Sequence, residues 1–220
     1  MTPQKIVIIG AGGFGREVAW LIEDINASGG QWDLAGFVDD NEELVGKSIG
    51  RYPILGGMDW LKGQNSLHAV CAVGIARIRK QIVDGLEGAS VKWATLVHPS
   101  VIMPSSTQLQ PPAMGEGCIV CASNVITVNV SIGRHVIVNL GCTIGHDALL
   151  ADFVTLLPSV NVSGHVVLEE GADVGTGCQI IQRLRVGSGT TIGAGAVVVR
   201  DLPANCTAVG VPAKPIKRNE

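Results

Sequence analysis

The second half of the chain repeats its hydrophobic pattern every six residues. From Val120 to Val198 every sixth position is aliphatic, fourteen positions without a break. These positions are Val120, Ile126, Ile132, Val138, Ile144, Leu150, Leu156, Val162, Leu168, Val174, Ile180, Val186, Ile192 and Val198. A fixed period of six predicts a β-helix, in which each hexapeptide supplies a short strand and a turn.

A second column, four positions after the first, holds mostly small or apolar residues. It comprises Cys118, Asn124, Val130, Val136, Cys142, Ala148, Val154, Val160, Val166, Ala172, Cys178, Leu184, Thr190 and Ala196. We expect each hexapeptide to point one aliphatic and one smaller side chain into the coil. That narrow interior leaves little room for rings, and Phe153 is the only aromatic residue after position 95. The three cysteines of this column are therefore interpreted as core residues.

The first half alternates strand and helix patterns. Residues 5–9 form a buried-type strand, and the following segment carries a helical stripe of apolar residues at i, i+3, i+4 and i+7. Further strands are predicted at 34–38, 69–73 and 91–96, and a helix at 75–83. This alternation predicts a parallel sheet covered by helices. We expect an α/β Rossmann-like domain over residues 1–97 and an all-β helix with a C-terminal tail over residues 98–220.

The hexapeptide register is looser just after this junction. Ile102 keeps the register, whereas Gln108 breaks it. Pro111-Pro112 predicts an irregular loop there, because two prolines remove consecutive backbone donors.

Composition narrows the function classes. The chain has a formal net charge of −3, which argues against nucleic-acid binding. The apolar run at residues 6–9 is too short for a signal-peptide core or a membrane span, so we expect a soluble cytoplasmic protein. Its six cysteines are then reduced, and the lone Cys118-x-x-Cys121 pair is only a weak indication of a metal or redox site.

Six segments carry a resemblance that spans nearly the whole chain. They read IIGAGGFGREV, FVDDN, AVGIARIRKQI, LVHPSV, NLGCTIGHDALLADFV and AVGVPAKPIK. In this order they resemble the hexapeptide-repeat sugar acetyltransferases with a Rossmann-like N-terminal domain, of the bacillosamine N-acetyltransferase and sialic acid O-acetyltransferase type. The resemblance implies a left-handed β-helix with three hexapeptides per coil, acetyl-CoA as co-substrate, and a homotrimer with acetyl-CoA between neighbouring helices.

Acetyl transfer to an amine or hydroxyl requires a group that accepts a proton near neutral pH, a task that suits histidine. The resemblance assigns this general base to His146 and assigns Asp147 as the acid that raises its basicity. It also implies Asn139 in the active site. Cofactor contacts are implied at Thr155, which replaces the family's histidine, and at Gly164 and Ala194, whose N–H groups would bind the oxyanion or the pantetheine amides.

The length of one coil adds a prediction about three polar residues. Asn129, Asp147 and His165 are spaced by three hexapeptides each, so they should stack on successive coils. We therefore expect Asp147 to reach both His146 and His165.

The motif Gly10-x-Gly12-x-x-Gly15 follows a strand and opens a helix, which is the context of a phosphate-binding loop. About 95 residues precede the repeats, room for one mononucleotide-binding half and not for a dinucleotide-binding pair. The resemblance implies a nucleotide-sugar site at Gly12, Gly13, Phe14, Asp39, Asp40 and Gly74.

Three other functions stay open. A hexapeptide-class carbonic anhydrase needs three zinc-binding histidines, but His135, His146 and His165 include no pair close in sequence, so no metal is expected. A β-helix can also be a non-catalytic binding or structural protein. An O-acetyltransferase of sialic acid or another sugar would differ only in its acceptor. We favour N-acetylation of a nucleotide-linked amino sugar of the UDP-4-amino-4,6-dideoxy type, because the glycine loop and the Asp39-Asp40 pair match.

Overall fold

The computed structural model describes residues 3–104 and 112–219. Within these residues an α/β domain precedes a parallel β-helix, as the sequence predicted, and the β-helix is left-handed, as the family resemblance implied. Gln108 and Pro111, part of the predicted irregular segment, lie outside the described residues. No helix in the described ranges is long and apolar enough to cross a membrane.

The N-terminal domain is a six-stranded sheet with helices on its faces. Its elements are β1 (Gln4–Ile9), α1 (Gly13–Ala27), β2 (Trp32–Val38), a 3-10 turn (Glu42–Leu44), β3 (Ser48–Ile49), β4 (Tyr52–Gly56), α2 (Met58–Lys62), β5 (Leu67–Cys71), α3 (Ala76–Asp84) and β6 (Val91–Trp93). The strand order is β3-β4-β2-β1-β5-β6, and every pair is parallel except β3 with β4.

Strand β1 lies in the middle of this sheet and is buried on both faces. Ile6 and Ile8 pack in the cluster that contains the apolar stripe of α1, whereas Val7 and Ile9 pack with residues of α2 and β5. A parallel strand covered on both faces reads as a continuous apolar run, which is why residues 6–9 show no polar alternation.

Two predicted strands differ from the observed ones. The strand predicted at 69–73 ends at Cys71, because the carbonyls of Val73 and Gly74 turn to accept hydrogen bonds from Arg79. The strand predicted at 91–96 is two strands, β6 and then β7 (Leu96–Val97). The Ala94 N–H still bonds to Ala69 in the first sheet, whereas the Leu96 N–H bonds to Cys118 in the β-helix. The first rung of the β-helix thus lies just before the predicted boundary at residue 97.

The β-helix is built from two-residue strands, each paired with the strand three hexapeptides later. Val125 pairs with Thr143, and Thr143 pairs with Asn161. The strands are β8 (Ala113–Met114), β9 (Ile119–Val120), β10 (Val125–Ile126), β11 (Ser131–Ile132), β12 (Ile137–Val138), β13 (Thr143–Ile144), β14 (Leu149–Leu150), β15 (Thr155–Leu156), β16 (Asn161–Val162), β17 (Val167–Leu168), β18 (Asp173–Val174), β19 (Gln179–Ile180), β20 (Arg185–Val186), β21 (Thr191–Ile192) and β22 (Val197–Val198). An antiparallel hairpin, β23 (Cys206–Val209) and β24 (Lys214–Arg218), follows β22.

These strands form three faces. Face I contains β7, β9, β12, β15, β18, β21, β23 and β24; face II contains β10, β13, β16, β19 and β22; face III contains β8, β11, β14, β17 and β20. We call the turns that join face II to face III the II/III corner; it comprises residues 128–129, 146–147, 164–165 and 182–183. The I/II and III/I corners are named in the same way.

The interior of the coil confirms both predicted columns. All fourteen aliphatic positions are buried, and the second column is buried except for the half-buried Leu184. Cys118 lies inside the coil, whereas Cys121 packs against the N-terminal domain, so these two thiols belong to different cores. Burial raises the pKa of Cys118 to about 11 and that of Cys121 to about 12, which suits inert core residues.

Arg79, on α3, joins the two domains and is fully buried. Its Nε donates to the His135 carbonyl at 2.9 Å, and Nη2 donates to the Phe153 carbonyl at 2.7 Å and to the Thr155 hydroxyl at 2.9 Å. Its Nη1 donates to the carbonyls of Val73 and Gly74. Burial lowers the pKa of Arg79 to about 10, so the guanidinium stays charged at neutral pH. One side chain thus fixes the loop after β5 against the β-helix.

Candidate active site

The II/III corner collects the polar side chains that the spacing of one coil predicted. Asp147 Oδ2 lies 2.8 Å from His146 Nδ1 and 3.6 Å from His165 Nε2. Asp147 Oδ1 accepts a hydrogen bond from Asn129 Nδ2 at 3.2 Å. The stacking of Asn129, Asp147 and His165 and the double reach of Asp147 are therefore confirmed.

The backbone explains why these side chains point outward together. Asn129, Asp147 and His165 have φ of 57°, 59° and 59°, the left-handed conformation that turns the chain at each corner. Asn and Asp tolerate this conformation better than most residues. The His165 N–H also donates to the His146 carbonyl at 2.9 Å, which ties one coil to the next.

The electrostatics of the corner suit proton transfer at His146. The hydrogen bonds from His146 and Asn129, together with the charge of His165, lower the pKa of Asp147, so its carboxylate stays ionised. An ionised carboxylate beside Nδ1 keeps the proton of a neutral imidazole on that nitrogen. Nε2 is then the acceptor, on a side chain that is 57% exposed. This arrangement fits a general base that receives a proton from a bound acceptor.

Gly164 lies directly under the His146 ring, one coil later. A Cβ at Gly164 would approach Nε2 and Cε1 of His146 to 2.6 Å, so only glycine leaves room for the ring in this position. Among the described residues no backbone acceptor faces the Gly164 N–H. That N–H is thus available to an oxyanion or an amide carbonyl next to the base.

The predicted nucleotide-binding residues meet at one edge of the N-terminal sheet. They follow the carboxyl ends of three neighbouring strands, Gly12, Gly13 and Phe14 after β1, Asp39 and Asp40 after β2, and Gly74 after β5. The chain order reverses between β1 and β5, and ligands of open α/β sheets bind at such a reversal. The N-terminus of α1 opens at Gly13, so its free N–H groups suit a phosphate.

The glycine loop requires glycine at its third position. A Cβ at Gly15 would overlap the carbonyl oxygen of Gly10, so the helix could not approach the strand so closely. Asp39 Oδ2 accepts from the Ala11 N–H at 2.8 Å, and Asp40 Oδ1 accepts from the Met58 N–H at 2.7 Å. Both acids thus shape the loops, and the exposed carboxylate of Asp40 keeps a second oxygen for a ligand.

The remaining predicted contacts are not beside His146 in this chain. Asn139 follows β12 and Ala194 follows β21, both toward the I/II corner, at the opposite end of face II from His146. Thr155 is 2% exposed, and its hydroxyl donates to the Gly74 carbonyl and accepts from Arg79. The hydroxyl of Thr155 is thus buried between the domains with both partners within the chain, and the expected cofactor contact stays a prediction.

Two histidines that are distant in sequence lie close together in the structure. His146 and His165 are distant in sequence, yet their ring centroids are 5.1 Å apart, because one coil returns the chain to the same corner. His135 occupies the III/I corner, where it is buried and stacks on Phe153 at 5.2 Å. The described residues thus bring two histidines together and not the three that a hexapeptide carbonic anhydrase needs.

Sequence reasoning also missed Arg79. It lies in the AVGIARIRKQI segment, where a charged residue on a predicted helix reads as solvent-exposed. No local signal marks it, since its partners in the β-helix are 56 to 76 residues away.

Comparison with known proteins shows the family. Residues 5–86 match the family model of the PglD N-terminal domain. The chain is 33% identical to the GDP-perosamine N-acetyltransferase of Escherichia coli O157:H7 over 220 residues, 96% of each sequence. The chain belongs to this family of hexapeptide-repeat sugar N-acetyltransferases.

Solved structures agree with this family over the whole fold. The acetyltransferase domain of PglB from Neisseria gonorrhoeae, in complex with acetyl coenzyme A, has a TM-score of 0.86 and 33% identity; the match covers 97% of this chain and all of that one. PerB from Caulobacter crescentus, in complex with CoA and GDP-perosamine, has a TM-score of 0.83 and 30% identity over 97% of each chain. The protein is thus an acetyltransferase, and its II/III corner is the candidate acyl-transfer site.

Proposed function

We propose that this acetyltransferase transfers the acetyl group of acetyl-CoA directly to the amino group of a nucleotide-linked amino sugar, with His146 as the general base. The observation that carries this proposal is the His146 imidazole, held through Nδ1 by Asp147 with Nε2 exposed. The similar proteins support the reaction class, since they include a GDP-perosamine N-acetyltransferase and a structure in complex with CoA and GDP-perosamine.

The proton transfers follow from this geometry. The sugar amine attacks the thioester carbonyl carbon while His146 Nε2 takes a proton from the attacking nitrogen. Asp147 stabilises the imidazolium that forms, and the Gly164 N–H is positioned to stabilise the oxyanion. The tetrahedral intermediate then breaks its C–S bond. The departing thiolate takes the proton from His146, which yields CoA and the acetamido sugar.

The nucleotide would bind at the sheet edge of the N-terminal domain. The N-terminus of α1, with Gly12, Gly13 and Phe14, suits the diphosphate. The free oxygen of Asp40 and the loop at Gly74 line the same edge and suit the ribose or base. These contacts leave the identity of the nucleobase and of the amino sugar open. O-acetylation of a sugar such as sialic acid is the second candidate function, because His146 can also activate a hydroxyl group.

A homotrimer is part of this proposal. Within one chain Asn139 and Ala194 lie across face II from His146, so they would complete the acyl-transfer site only from a neighbouring subunit. Acetyl-CoA would then lie between two β-helices. We further propose that the domains divide close to residue 97, beside β7, the first strand of the β-helix. We also propose that the protein works in the cytoplasm, where its six free cysteines stay reduced.

The test is a thiol-release assay with acetyl-CoA against GDP-, UDP- and dTDP-linked amino sugars and free sialic acid. His146→Ala should lower kcat by about 10²-fold or more while the circular dichroism spectrum stays unchanged. Gln182→Ala, two coils later at the same corner, is the matched control and should keep wild-type turnover. Comparable kcat in His146→Ala and wild type would refute the base, and activity only with sialic acid would favour the second candidate.

A further inference from the structure

The II/III corner presents three ligand atoms of the kinds that zinc prefers. They are Asp147 Oδ2 and, beside it, His146 Nδ1 and His165 Nε2. One ligand atom from each of the three residues lies within 4.8 Å of the others. Two imidazoles and a carboxylate match the donor set of open zinc sites, in which a water molecule takes the fourth position.

The distances suit a tetrahedral ion. Zinc binds nitrogen and carboxylate oxygen at about 2.0–2.2 Å, so neighbouring ligand atoms in a tetrahedron are roughly 3.3–3.5 Å apart. Asp147 Oδ2 is 2.8 Å from His146 Nδ1 and 3.6 Å from His165 Nε2, which bracket that separation. Small side-chain rotations at an exposed corner are enough to admit the ion.

The site is also supported around its ligands. Asn129 holds the second oxygen of Asp147, and the backbone bond between His165 and His146 fixes the two turns that carry the imidazoles. Such outer hydrogen bonds orient ligands in metal sites. The cysteines do not compete for the ion, since all six are buried and burial raises the pKa of Cys142 to about 11.

We propose that His146, Asp147 and His165 bind one Zn²⁺ ion and that the bound ion switches off acetyl transfer. The inhibitory part rests on the proposed role of His146. An ion on Nδ1 takes the lone pair there, so the ring proton of the neutral imidazole must reside on Nε2. A protonated Nε2 cannot accept the proton of the acceptor amine. Mg²⁺ and Ca²⁺, which prefer oxygen ligands, should have no such effect.

Calorimetric titration of the full chain with zinc chloride, without substrates, tests the site itself. We expect one ion per chain, and His165→Asn and Asp147→Asn should each weaken binding by about 10-fold or more. His68→Asn, which changes a half-buried histidine of the N-terminal domain, should leave zinc affinity unchanged. Absence of binding to wild type, or equal affinity in wild type and His165→Asn, would overturn the site.

Turnover in the thiol-release assay then tests the switch. Zinc at a concentration that saturates the calorimetric site should abolish turnover, magnesium at the same concentration should not, and a chelator should restore the rate. The zinc concentration for half inhibition in His165→Asn, measured against its own zinc-free rate, should rise with its dissociation constant. Full turnover at saturating zinc would overturn the inhibitory role. A chain that binds zinc but never acetylates a sugar would refute the proposed function and leave the metal site supported.

Discussion

Replacing Gly164 with alanine tests how strictly the corner positions the imidazole of His146, the proposed general base. The added Cβ would lie 2.6 Å from Nε2 and Cε1 of His146, whereas non-bonded carbon atoms pack at about 3.5–4.0 Å. The ring must therefore move by roughly 1 Å or swing away from Asp147. A displacement of this size costs about 10²-fold in rate, which corresponds to about 2.7 kcal/mol of transition-state stabilisation.

The same substitution should not unfold the protein. Gly164 does not adopt a left-handed φ, so alanine fits its backbone, and the closest atoms around its Cβ belong to the exposed His146 ring. We expect kcat/KM to fall by about 10²-fold and Tm to stay at or slightly above the wild-type value. Gly63→Ala is the control, because its Cβ would meet only ordinary contacts at 3.5 and 3.8 Å.

Kinetics in the thiol-release assay and thermal unfolding by calorimetry give the two readouts. A kcat/KM of Gly164→Ala within roughly threefold of wild type, at an unchanged Tm, is the result expected of a substitution exposed to solvent. It would show that the position of the His146 ring does not limit catalysis. If Tm falls as far as the rate, the loss reflects folding and the argument from ring placement fails.

Two further predictions concern stability, both measured by urea denaturation. Arg79→Met should lower the free energy of unfolding by about 3 kcal/mol or more, because several buried carbonyls lose their hydrogen-bond donor. Arg77→Met, which changes an exposed residue of the same helix, should leave the free energy of unfolding within about 0.5 kcal/mol of wild type. Equal free energies of unfolding in the two variants would show that Arg79 does not hold the domains together. Burial, and then the charge of Arg79, lower the pKa of His135 from 6.5 to about 4. Between pH 6.5 and pH 4, His135 is therefore protonated in the unfolded chain and neutral in the folded protein. The free energy of unfolding should fall by about 2 kcal/mol from pH 7.5 to pH 5 because of His135. His135→Phe should remove that part of the pH dependence, and an identical pH profile in this variant would contradict it.

The β-helix followed from the sequence because its rule is local and repeated. Each hexapeptide buries one aliphatic and one small residue, and each coil contacts only the coils before and after it. That regularity, together with the coil of three hexapeptides that the family resemblance implied, also predicted the stack of Asn129, Asp147 and His165, since residues one coil apart then lie at the same corner. The N-terminal sheet followed from strand and helix periods, although the short elements between residues 48 and 62 carry too few periods to be recognised.

The docking of the two domains required the tertiary structure. The end of β5 at Cys71, the split between β6 and β7, and the burial of Thr155 all depend on Arg79 and on the contact between the α/β sheet and face I. These contacts join residues separated by up to 81 positions, and no periodicity in the chain encodes them.

The sequence by itself thus determined the two architectures, the columns of the coil and the glycine loop after β1, because each depends on interactions within a few residues or a single repeat. Only the tertiary structure decided which corner each histidine occupies, which predicted contacts lie beside His146, and which are sealed away. The physical reason is that the function of a side chain depends on its burial and on its contacts, and residues distant in sequence supply both.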